Sequence, residues 1–433
     1  MDLQEELLKK DAQYVSPAEY RYNPVVVDKA EGSIITDVNG KEYIDFNSSC
    51  SSTNFGHRNS RVIEAAKEQM GKFIQLHPHV VYYEKLATLC ERLSKLAEPI
   101  MGESKVFLMC SGSEAVEGAL KLVRYATRKL IVLGFEHSFH GRATAGLGVT
   151  FSKAGFRKHL APILAGGAYA PYAYCYRCPF GQNYPGCNME CLKYVRNLFK
   201  YVLPPEDVAA VIIEPIIGEG GYMVPPPEYL PGLKKICEEN NLLFIADEVQ
   251  TGYGRAGKMF AVEHWGVNPD VITLAKSMAG GFPLSAIIAK REIMDKWEPG
   301  AHGTTFGGHP VSCAAALAVL DILSEDNGKL LKQVEELGTH MMRRLKDLQE
   351  RSSIVGDVRG KGLMIGVELV KDKKSKEPAP DIMKKIVAGV REKGLLIITC
   401  VGSTIRLMPP LTIAREELDR GIDILEEVIL SFS

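Results

Sequence analysis

The sequence contains no long, uninterrupted apolar run. None of its 433 residues falls in a stretch that approaches the ~18–20 apolar residues needed to span a membrane. The first residues, MDLQEELLKKDAQ, include acidic side chains and lack the apolar segment of a secretory signal. These absences predict a cytoplasmic protein with no membrane partner.

The chain also lacks an excess of either charge. It has 52 Lys and Arg residues against 53 Asp and Glu residues, and the basic ones are not gathered in a tract. Proteins that bind nucleic acid usually carry a basic patch, so nucleic acid is not expected as a partner. The sequence also has no internal repeat, and its length allows two to four domains of ~100–200 residues.

Strand and helix patterns alternate through most of the chain. Asn39-Gly40, between two strand-like segments, is a hairpin signal. Three continuous apolar runs that end in polar residues follow at 208–215, 242–249 and 271–276, with helical stretches between them. Such runs are typical of parallel strands that are buried on both faces, so the sequence predicts an α/β fold.

The pattern changes from about Pro310, where long helices and shorter strands begin. This change predicts a second, smaller α+β domain. The predicted limits are 1–58 for an N-terminal segment that packs with the small domain, 59–318 for the large domain and 319–433 for the small domain.

Polar side chains close the three apolar runs: Glu214 the first, Asp247 the second and Lys276 the third. Ligands of open α/β sheets bind beyond the carboxyl ends of the strands, so these side chains mark a candidate site. A buried Asp needs a charged partner, such as a pyridinium nitrogen, and Lys is the side chain that forms Schiff bases. The alternative is a structural Asp–Lys ion pair, or two unrelated residues.

Two glycine-containing segments could bind phosphate. Ser-Gly-Ser-Glu at 111–114 stands between a predicted strand and a predicted helix, where backbone N–H groups can approach a phosphate. The same residues would also form an ordinary capping box. The second segment, 252–257, fits GxGxxG but does not stand at a strand–helix turn, so a nicotinamide dinucleotide is not expected there.

Residues 243–288, which run from LFIADEV to PLSAII, resemble the signature of the class III aminotransferases, the ornithine and 4-aminobutyrate type. Further matching motifs are SGSEAVEGALKL at 111, HSFHGR at 137, IIEPIIGEGG at 212, GTTFGGHP at 303 and GDVRGKGLMIGVEL at 356. The resemblance covers nearly the whole chain, in order. It implies fold type I with a mainly parallel seven-stranded sheet, pyridoxal 5'-phosphate as cofactor and a homodimer or higher homo-oligomer.

The resemblance also implies roles for individual residues. Lys276 would form the Schiff base and move the proton, Asp247 would pair with the pyridine nitrogen, and Phe139 would complete the catalytic set by stacking on the ring. The further cofactor contacts would be Gly112 and Ser113 at the phosphate, Val249 on the other ring face, Gln250 by the ring hydroxyl, and Thr305 at the phosphate of the neighbouring subunit. No metal is expected in this site.

Four residues bear on the substrate. In the 4-aminobutyrate type, the Glu matching Glu219 pairs with the Arg matching Arg406, and the pair opens for the α-carboxylate of a 2-oxo acid. Arg142 would meet the distal carboxylate. Cys50 lies in a loop that is more polar than is usual in the family, which leaves the identity of the donor open.

The predicted reaction moves an amino group from an ω-amino or α-amino acid, such as 4-aminobutyrate, to 2-oxoglutarate or pyruvate by a ping-pong mechanism. The first alternative is an amino-acid racemase or epimerase on the same scaffold, although racemases of this family resemble the pattern with Asp in place of Glu219. Decarboxylating aminotransferases lack the glutamate at that position. A nicotinamide dehydrogenase and a non-catalytic binding protein are less consistent with the motifs.

Four of the ten cysteines are clustered in AYCYRCPFGQNYPGCNMEC. They are Cys175, Cys178, Cys187 and Cys191. Two close cysteine pairs in a Gly- and Pro-containing loop could bind zinc or an iron–sulfur cluster, form disulfides or remain free thiols. The insertion is expected to lie away from the catalytic centre.

Overall fold

The computed structural model describes residues 3–160 and 166–433. Residues 1–2 of the predicted N-terminal segment and 161–165 of the predicted large domain therefore lie outside the described residues. The helices are α1 (Leu3–Tyr14), α2 (Ser48–Ser51), α3 (Ser60–Met70), α4 (Glu84–Met101), α5 (Gly112–Thr127), α6 (Thr144–Gly148), α7 (Glu190–Tyr201), α8 (Tyr229–Glu239), α9 (Arg291–Met294), α10 (Pro310–Ser324), α11 (Lys329–Arg351), α12 (Pro380–Glu392) and α13 (Arg415–Leu430).

The strands form three sheets. They are β1 (Val27–Glu31), β2 (Ile34–Asp37), β3 (Glu42–Asp45), β4 (Ser104–Met109), β5 (Ile131–Phe135), β6 (Gly167–Ala170), β7 (Val208–Ile213), β8 (Leu243–Asp247), β9 (Val271–Leu274), β10 (Ser285–Lys290), β11 (Val355–Lys361), β12 (Met364–Leu369), β13 (Leu395–Leu396), β14 (Ile398–Cys400) and β15 (Thr404–Leu407). Within the described ranges, no helix is long and apolar enough to cross a membrane.

The largest sheet has seven strands in the order β4-β10-β9-β8-β7-β5-β6. Its neighbouring strands are parallel from β9 to β6, whereas β10 is antiparallel to both β4 and β9. The predicted α/β class and the mainly parallel seven-stranded sheet are therefore confirmed. The apolar runs at 208–215, 242–249 and 271–276 contain three adjacent central strands of this sheet, β7, β8 and β9.

Both faces of this sheet are buried, which explains why its central strands read as continuous apolar runs. Side chains of β7 alternate between two apolar clusters: Val211 and Ile213 join one, and Ala210 and Ile212 join the other. Since α5 packs on the second face, no position of β7 reaches solvent. The charged side chains of these strands therefore stand at their carboxyl ends, as is usual where an α/β sheet binds ligands.

A separate apolar cluster lies around the smaller sheets, β1-β2-β3-β13 and β11-β12-β15-β14. It includes Ile44 and Phe46 from the N-terminal meander together with side chains of α11 to α13. Strand β3 pairs in parallel with β13, where Ile44 stands opposite Leu395. The meander thus shares a sheet and an apolar core with the C-terminal part of the chain.

The predicted boundary at residue 318 falls inside α10. Buried side chains of α10, such as Cys313 and Val319, belong to the cluster of the large sheet, and the helix packs on α3 and α4. Within the C-terminal part of the chain, the first buried member of the other cluster, which surrounds the smaller sheets, is Val334 on α11. The domain limits 1–58, 59–318 and 319–433 stay a prediction.

The GxGxxG segment at 252–257 has a structural role. Its Arg255 is fully buried, and the guanidinium donates hydrogen bonds to the backbone oxygens of Leu363 and Pro409, at 2.9 and 2.7 Å, and to the side-chain oxygen of Asn54. The segment therefore joins the loop after β8 to the C-terminal part of the chain.

Candidate active site

A cavity of about 330 Å³ lies at the carboxyl ends of β7, β8 and β9. It is lined by Cys50, Ser111, Gly112, Ser113, Val116, Phe139, His140, Gly141, Arg142, Glu214, Glu219, Asp247, Val249, Gln250, Lys276 and Arg406. All the site residues that the sequence predicts line it except Thr305. Thr305 is exposed, and its backbone oxygen accepts a hydrogen bond from Gln75 at 2.8 Å.

Asp247 ends β8, and both oxygens of its carboxylate have partners. One oxygen, Oδ2, lies 2.6 Å from Nδ1 of His140. The other, Oδ1, accepts from the hydroxyl of Thr273 at 2.9 Å and from the backbone N–H of Val249 at 3.1 Å. Since the side chain is only 3% exposed, these contacts fix its orientation and compensate for burying its charge.

His140 was not among the residues predicted from the sequence. It is buried beside Asp247, and its Nε2 has no hydrogen-bond partner among the described residues. A buried polar atom without a partner is costly, so its presence in the cavity wall is consistent with a site that a bound group completes. The HSFHGR motif contained this histidine, but only its Phe and Arg were assigned roles.

Lys276 follows β9 in an unusual backbone conformation, with a φ of 45°. Non-glycine residues rarely adopt this left-handed region, and such positions cluster at functional sites. Burial lowers the pKa of its ammonium group, against the raising effect of neighbouring groups that include Cys50 and Glu214. The lowered pKa favours the neutral amine, which is the nucleophilic form.

Helix α5 begins at the cavity with Gly112. Ser111 caps it: its hydroxyl accepts from the N–H of Glu114, whose carboxylate accepts from the N–H of Ser111 in return. The capping box that the sequence allowed is therefore formed. It leaves the N–H groups of Gly112 and Ser113 available, because the first N–H groups of a helix have no acceptor within it. A Cβ at Gly112 would lie 2.9 Å from a methyl group of Val249, so only glycine fits there without displacement.

Glu214, just beyond β7, organises the opposite wall. Its carboxylate accepts from the backbone N–H of Phe139 at 2.8 Å and from that of Gly218 at 2.9 Å. It thereby positions both the aromatic ring of Phe139 and the loop that carries Glu219. Burial raises the pKa of Glu214 to about 7, although both N–H donors oppose that change. The sequence identified Glu214 as a strand-end carboxylate without predicting these contacts.

This raised pKa predicts a pH dependence of stability. With an ordinary value of 4.5 in the unfolded chain, Glu214 binds more protons in the folded state between pH 4.5 and 7, so folding stability falls as the pH rises through that window. Because Gln does not titrate, Glu214→Gln removes this contribution, which is a loss of up to about 3 kcal/mol in the free energy of unfolding across the window. We expect the melting temperature of cofactor-free Glu214→Gln to fall less than that of the wild type between pH 5 and pH 8.

The matched control is Glu206→Gln, at an exposed carboxylate just before the same strand. It should follow the wild-type pH dependence. If Glu214→Gln follows it as well, Glu214 does not titrate in this window.

Glu219 and Arg406 form an ion pair at the cavity, with 3.0 Å between Oε2 and Nη1. The pair is largely buried, since the two side chains are 16% and 6% exposed. Burial is the largest single influence on Arg406 and lowers its pKa, but the neighbouring groups, with Glu219 foremost, together outweigh burial and raise the pKa. Arg406 lies on β15, and its Nε has no partner among the described residues. The guanidinium thus keeps an unused donor.

Two further residues at this end of the cavity were not predicted. Lys153 donates from Nζ to Oε1 of Glu219 at 2.6 Å. Tyr22, in the N-terminal segment, has a pKa that is raised by burial and then by the charge of Glu219. Neither had a sequence signal, because both lie in irregular segments outside the recognised motifs.

Arg142 is held against two aromatic rings. Its guanidinium lies 5.0 Å from the ring centre of Phe156 and 5.7 Å from that of Phe139. These rings meet edge to face, with their centres 5.8 Å apart. A guanidinium stacked in this way is oriented but keeps its hydrogen-bond donors.

Cys50 belongs to a left-handed turn, α2. All four residues of Ser48–Ser51 have positive φ values, between 46° and 68°. Asp45 accepts from the N–H groups of Asn47 and Ser48, and the hydroxyl of Ser48 donates to the backbone oxygen of Met408 at 2.8 Å. These bonds hold the strained turn in place and present Cys50 to the cavity.

The clustered cysteines lie away from this site. Cys175, Cys178, Cys187 and Cys191 line one small separate cavity. All ten cysteines of the chain are described, and none is joined in a disulfide. Among residues 3–160 and 166–433, no group of side chains has the arrangement of a metal site. The peripheral position of the cluster agrees with the sequence interpretation.

The sequence profile of the class-III aminotransferases matches residues 15–429. The chain belongs to the class-III aminotransferase family and is an enzyme of that family. The resemblance on which the sequence interpretation was built is thus confirmed. Enzymes of this class depend on pyridoxal phosphate and act on amino acids and 2-oxo acids.

Similar proteins include enzymes of two activities. The leucine/methionine racemase of Thermococcus litoralis is 41% identical over 94% of this chain and 91% of its own. The 5-aminovalerate aminotransferase DavT of Pseudomonas aeruginosa is 38% identical over 98% and 97%. Among solved structures, an amine transaminase from an uncultivated Pseudomonas species in its PLP-bound form superimposes with a TM-score of 0.90 at 31% identity, over 97% and 99% of the two chains.

Proposed function

We propose that this enzyme uses pyridoxal 5'-phosphate to transfer the amino group of an ω-amino or α-amino acid to 2-oxoglutarate or pyruvate. The observation that carries the proposal is the buried Glu219–Arg406 pair, with an unused donor on Arg406, in the same cavity as Lys276 and Asp247. Such a pair lets one site accept substrates with and without an α-carboxylate.

The chemistry of the cavity lining supports this cofactor. A carboxylate at Asp247, a lysine of lowered pKa at Lys276 and a helix N-terminus at Gly112 are the three groups that a pyridinium, an aldehyde and a phosphate need. Phe139 and Val249 would enclose the ring and exclude water, and Gln250 would meet the ring hydroxyl.

The bound cofactor would supply an electron sink next to the Cα of an amino acid. Asp247 would keep a proton on the ring nitrogen, because a carboxylate held by His140 and Thr273 remains a favourable partner for a cation. Lys276 would hold the cofactor covalently, and its amine would move a proton at the carbon that bears the amino group.

Two guanidinium groups would recognise the carboxylates. Arg142 would bind the carboxylate far from the reacting carbon, in both an ω-amino acid and 2-oxoglutarate. Arg406 would remain paired with Glu219 for an ω-amino donor and would bind the α-carboxylate of a 2-oxo acid by a bidentate contact. Ser113 at the phosphate, with Thr305 supplied by a second subunit, would complete a homodimeric site in the cytoplasm.

The test uses the purified holoenzyme with 4-aminobutyrate, 5-aminovalerate and single L- and D-amino acids, each with and without 2-oxoglutarate or pyruvate. We expect glutamate or alanine to form only when donor and acceptor are both present, with the parallel reciprocal plots of a ping-pong mechanism. No amino transfer from any of these donors would contradict the proposal.

A second candidate function is racemisation or epimerisation of an amino acid. It is favoured by the 41% identity to a leucine/methionine racemase and by the presence of two acid/base groups, Lys276 and Glu219, in one cavity. Racemisation requires such groups on opposite faces of Cα. Following the enantiomer ratio in the same experiment decides the matter, since inversion without an acceptor would establish the racemase.

A further inference from the structure

Glu219 lies between two cations. Its Oε2 is 3.0 Å from Nη1 of Arg406, and its Oε1 accepts a hydrogen bond from Nζ of Lys153 at 2.6 Å. The two cations therefore use different oxygens and do not compete for one lone pair. Neither contact has to break for the other to form.

The three side chains carry one negative and two positive charges. Together they have a net charge of +1. The cavity that they border has a further cation in Arg142, the other residue that would bind a substrate carboxylate. Arg359, the further cation that acts on this region, is already paired with Asp357 and Glu368 at 2.9 and 2.7 Å. One substrate carboxylate would thus bring the group around Glu219 to neutrality.

The two cations differ in how they are held. Arg406 is on a strand, 6% exposed, and its Nη2 also donates to the backbone oxygen of Thr399 at 3.4 Å. The side chain of Lys153 is 36% exposed and comes from the segment just before a short 3₁₀ helix, with its ammonium 5.3 Å from the ring centre of Phe156. A flexible lysine stem can follow a moving carboxylate, whereas the rigid guanidinium stays where the strand puts it.

We propose that Lys153 is a positioning residue that keeps Glu219 paired while Arg406 binds the α-carboxylate of a 2-oxo acid. This inference rests on the proposed aminotransferase function. Without Lys153, opening the Glu219–Arg406 pair would leave a buried carboxylate with no cation, which is strongly unfavourable. With Lys153, Glu219 exchanges two partners for one, and the opening becomes easier.

Loss of Lys153 should therefore weaken the binding of some ligands and not of others. Ligands that leave the Glu219–Arg406 pair closed do not require Lys153, whereas ligands that open it do. A surface ion pair of purely structural value would affect both kinds of ligand alike or affect neither.

The experiment measures ligand binding to the holoenzyme by calorimetry, so that it does not depend on turnover. Glutarate, with two carboxylates, stands in for 2-oxoglutarate, and butyrate, with one, stands in for 4-aminobutyrate. We expect Lys153→Met to raise the Kd of glutarate about 10-fold and that of butyrate by no more than about twofold. Lys153→Arg, which retains the charge, should return the glutarate Kd to within about threefold of the wild-type value.

Lys158→Met, at an exposed lysine of the same segment, is the matched control and should change neither Kd. Equal weakening of both ligands, no weakening of glutarate, or a failure of Lys153→Arg to restore binding would overturn the role of Lys153. The proposed function fails separately, if the wild-type holoenzyme transfers no amino group in the turnover assay.

Discussion

Replacing Lys276 by alanine is expected to lower kcat of the holoenzyme by at least about 10⁴-fold, because in the proposed mechanism this one side chain would serve as both nucleophile and proton carrier. The lowered pKa of Lys276, caused by burial at the end of β9, prepares it for both tasks. Lys276→Arg should fail as badly. It retains the charge and approximate length, but a guanidinium remains protonated and cannot act as a base.

The measurement compares kcat for amino transfer in the two variants with that of the wild type, after saturation with pyridoxal phosphate. Lys258→Ala, at an exposed lysine outside the cavity, controls for preparation and should retain full activity. A residual rate above about a hundredth of wild type in Lys276→Ala would assign the proton transfer to another group, and Glu219 would be the first to examine.

Asp247→Asn is expected to lower kcat by about 10²–10³-fold, the usual loss when a preorganised electrostatic partner is removed. Asn is nearly the same shape and can retain contacts to His140 and Thr273, but it has no charge to stabilise a protonated ring nitrogen. Since the Asp247 side chain is buried, an anion from the solvent cannot take its place. Cofactor affinity should also fall, which titration with pyridoxal phosphate would show.

The matched control is Asp270→Asn. Asp270 is also a buried carboxylate beside the central strands, but it pairs with Lys234 and Lys290, at 2.9 and 2.7 Å, and does not line the cavity. Its replacement should lower the melting temperature with little effect on kcat. Equal kcat values in the two variants would mean that Asp247 acts on stability and not on the reaction.

The sequence predicted the sheet well where a strand is buried on both faces. The runs that became β7, β8 and β9 are apolar at nearly every position, and only a central parallel strand requires that pattern. The antiparallel orientation of β10 could not be predicted in the same way, because an apolar run carries no information about strand direction.

The candidate site was predictable in its motifs and not in its supporting contacts. Asp247 and Lys276 follow apolar runs at positions that chain order alone reveals. The contact of His140 with Asp247 joins residues 107 positions apart, and that of Lys153 with Glu219 joins residues 66 apart. Such pairs depend on how the loops fold over the sheet, for which a single sequence has no periodic signal.

The backbone of the left-handed turn at Ser48–Ser51 does not depend on the side chain that the turn presents to the cavity. Left-handed backbone costs about 1–2 kcal/mol per residue for side chains other than glycine, and here the cost is met by contacts of Asp45 and Met408 that do not involve the side chain of Cys50. A gene copy under new selection would therefore be free to vary position 50 while inheriting the turn intact. Donor preference would then diverge through single codons in this loop, with the catalytic groups beneath it unchanged.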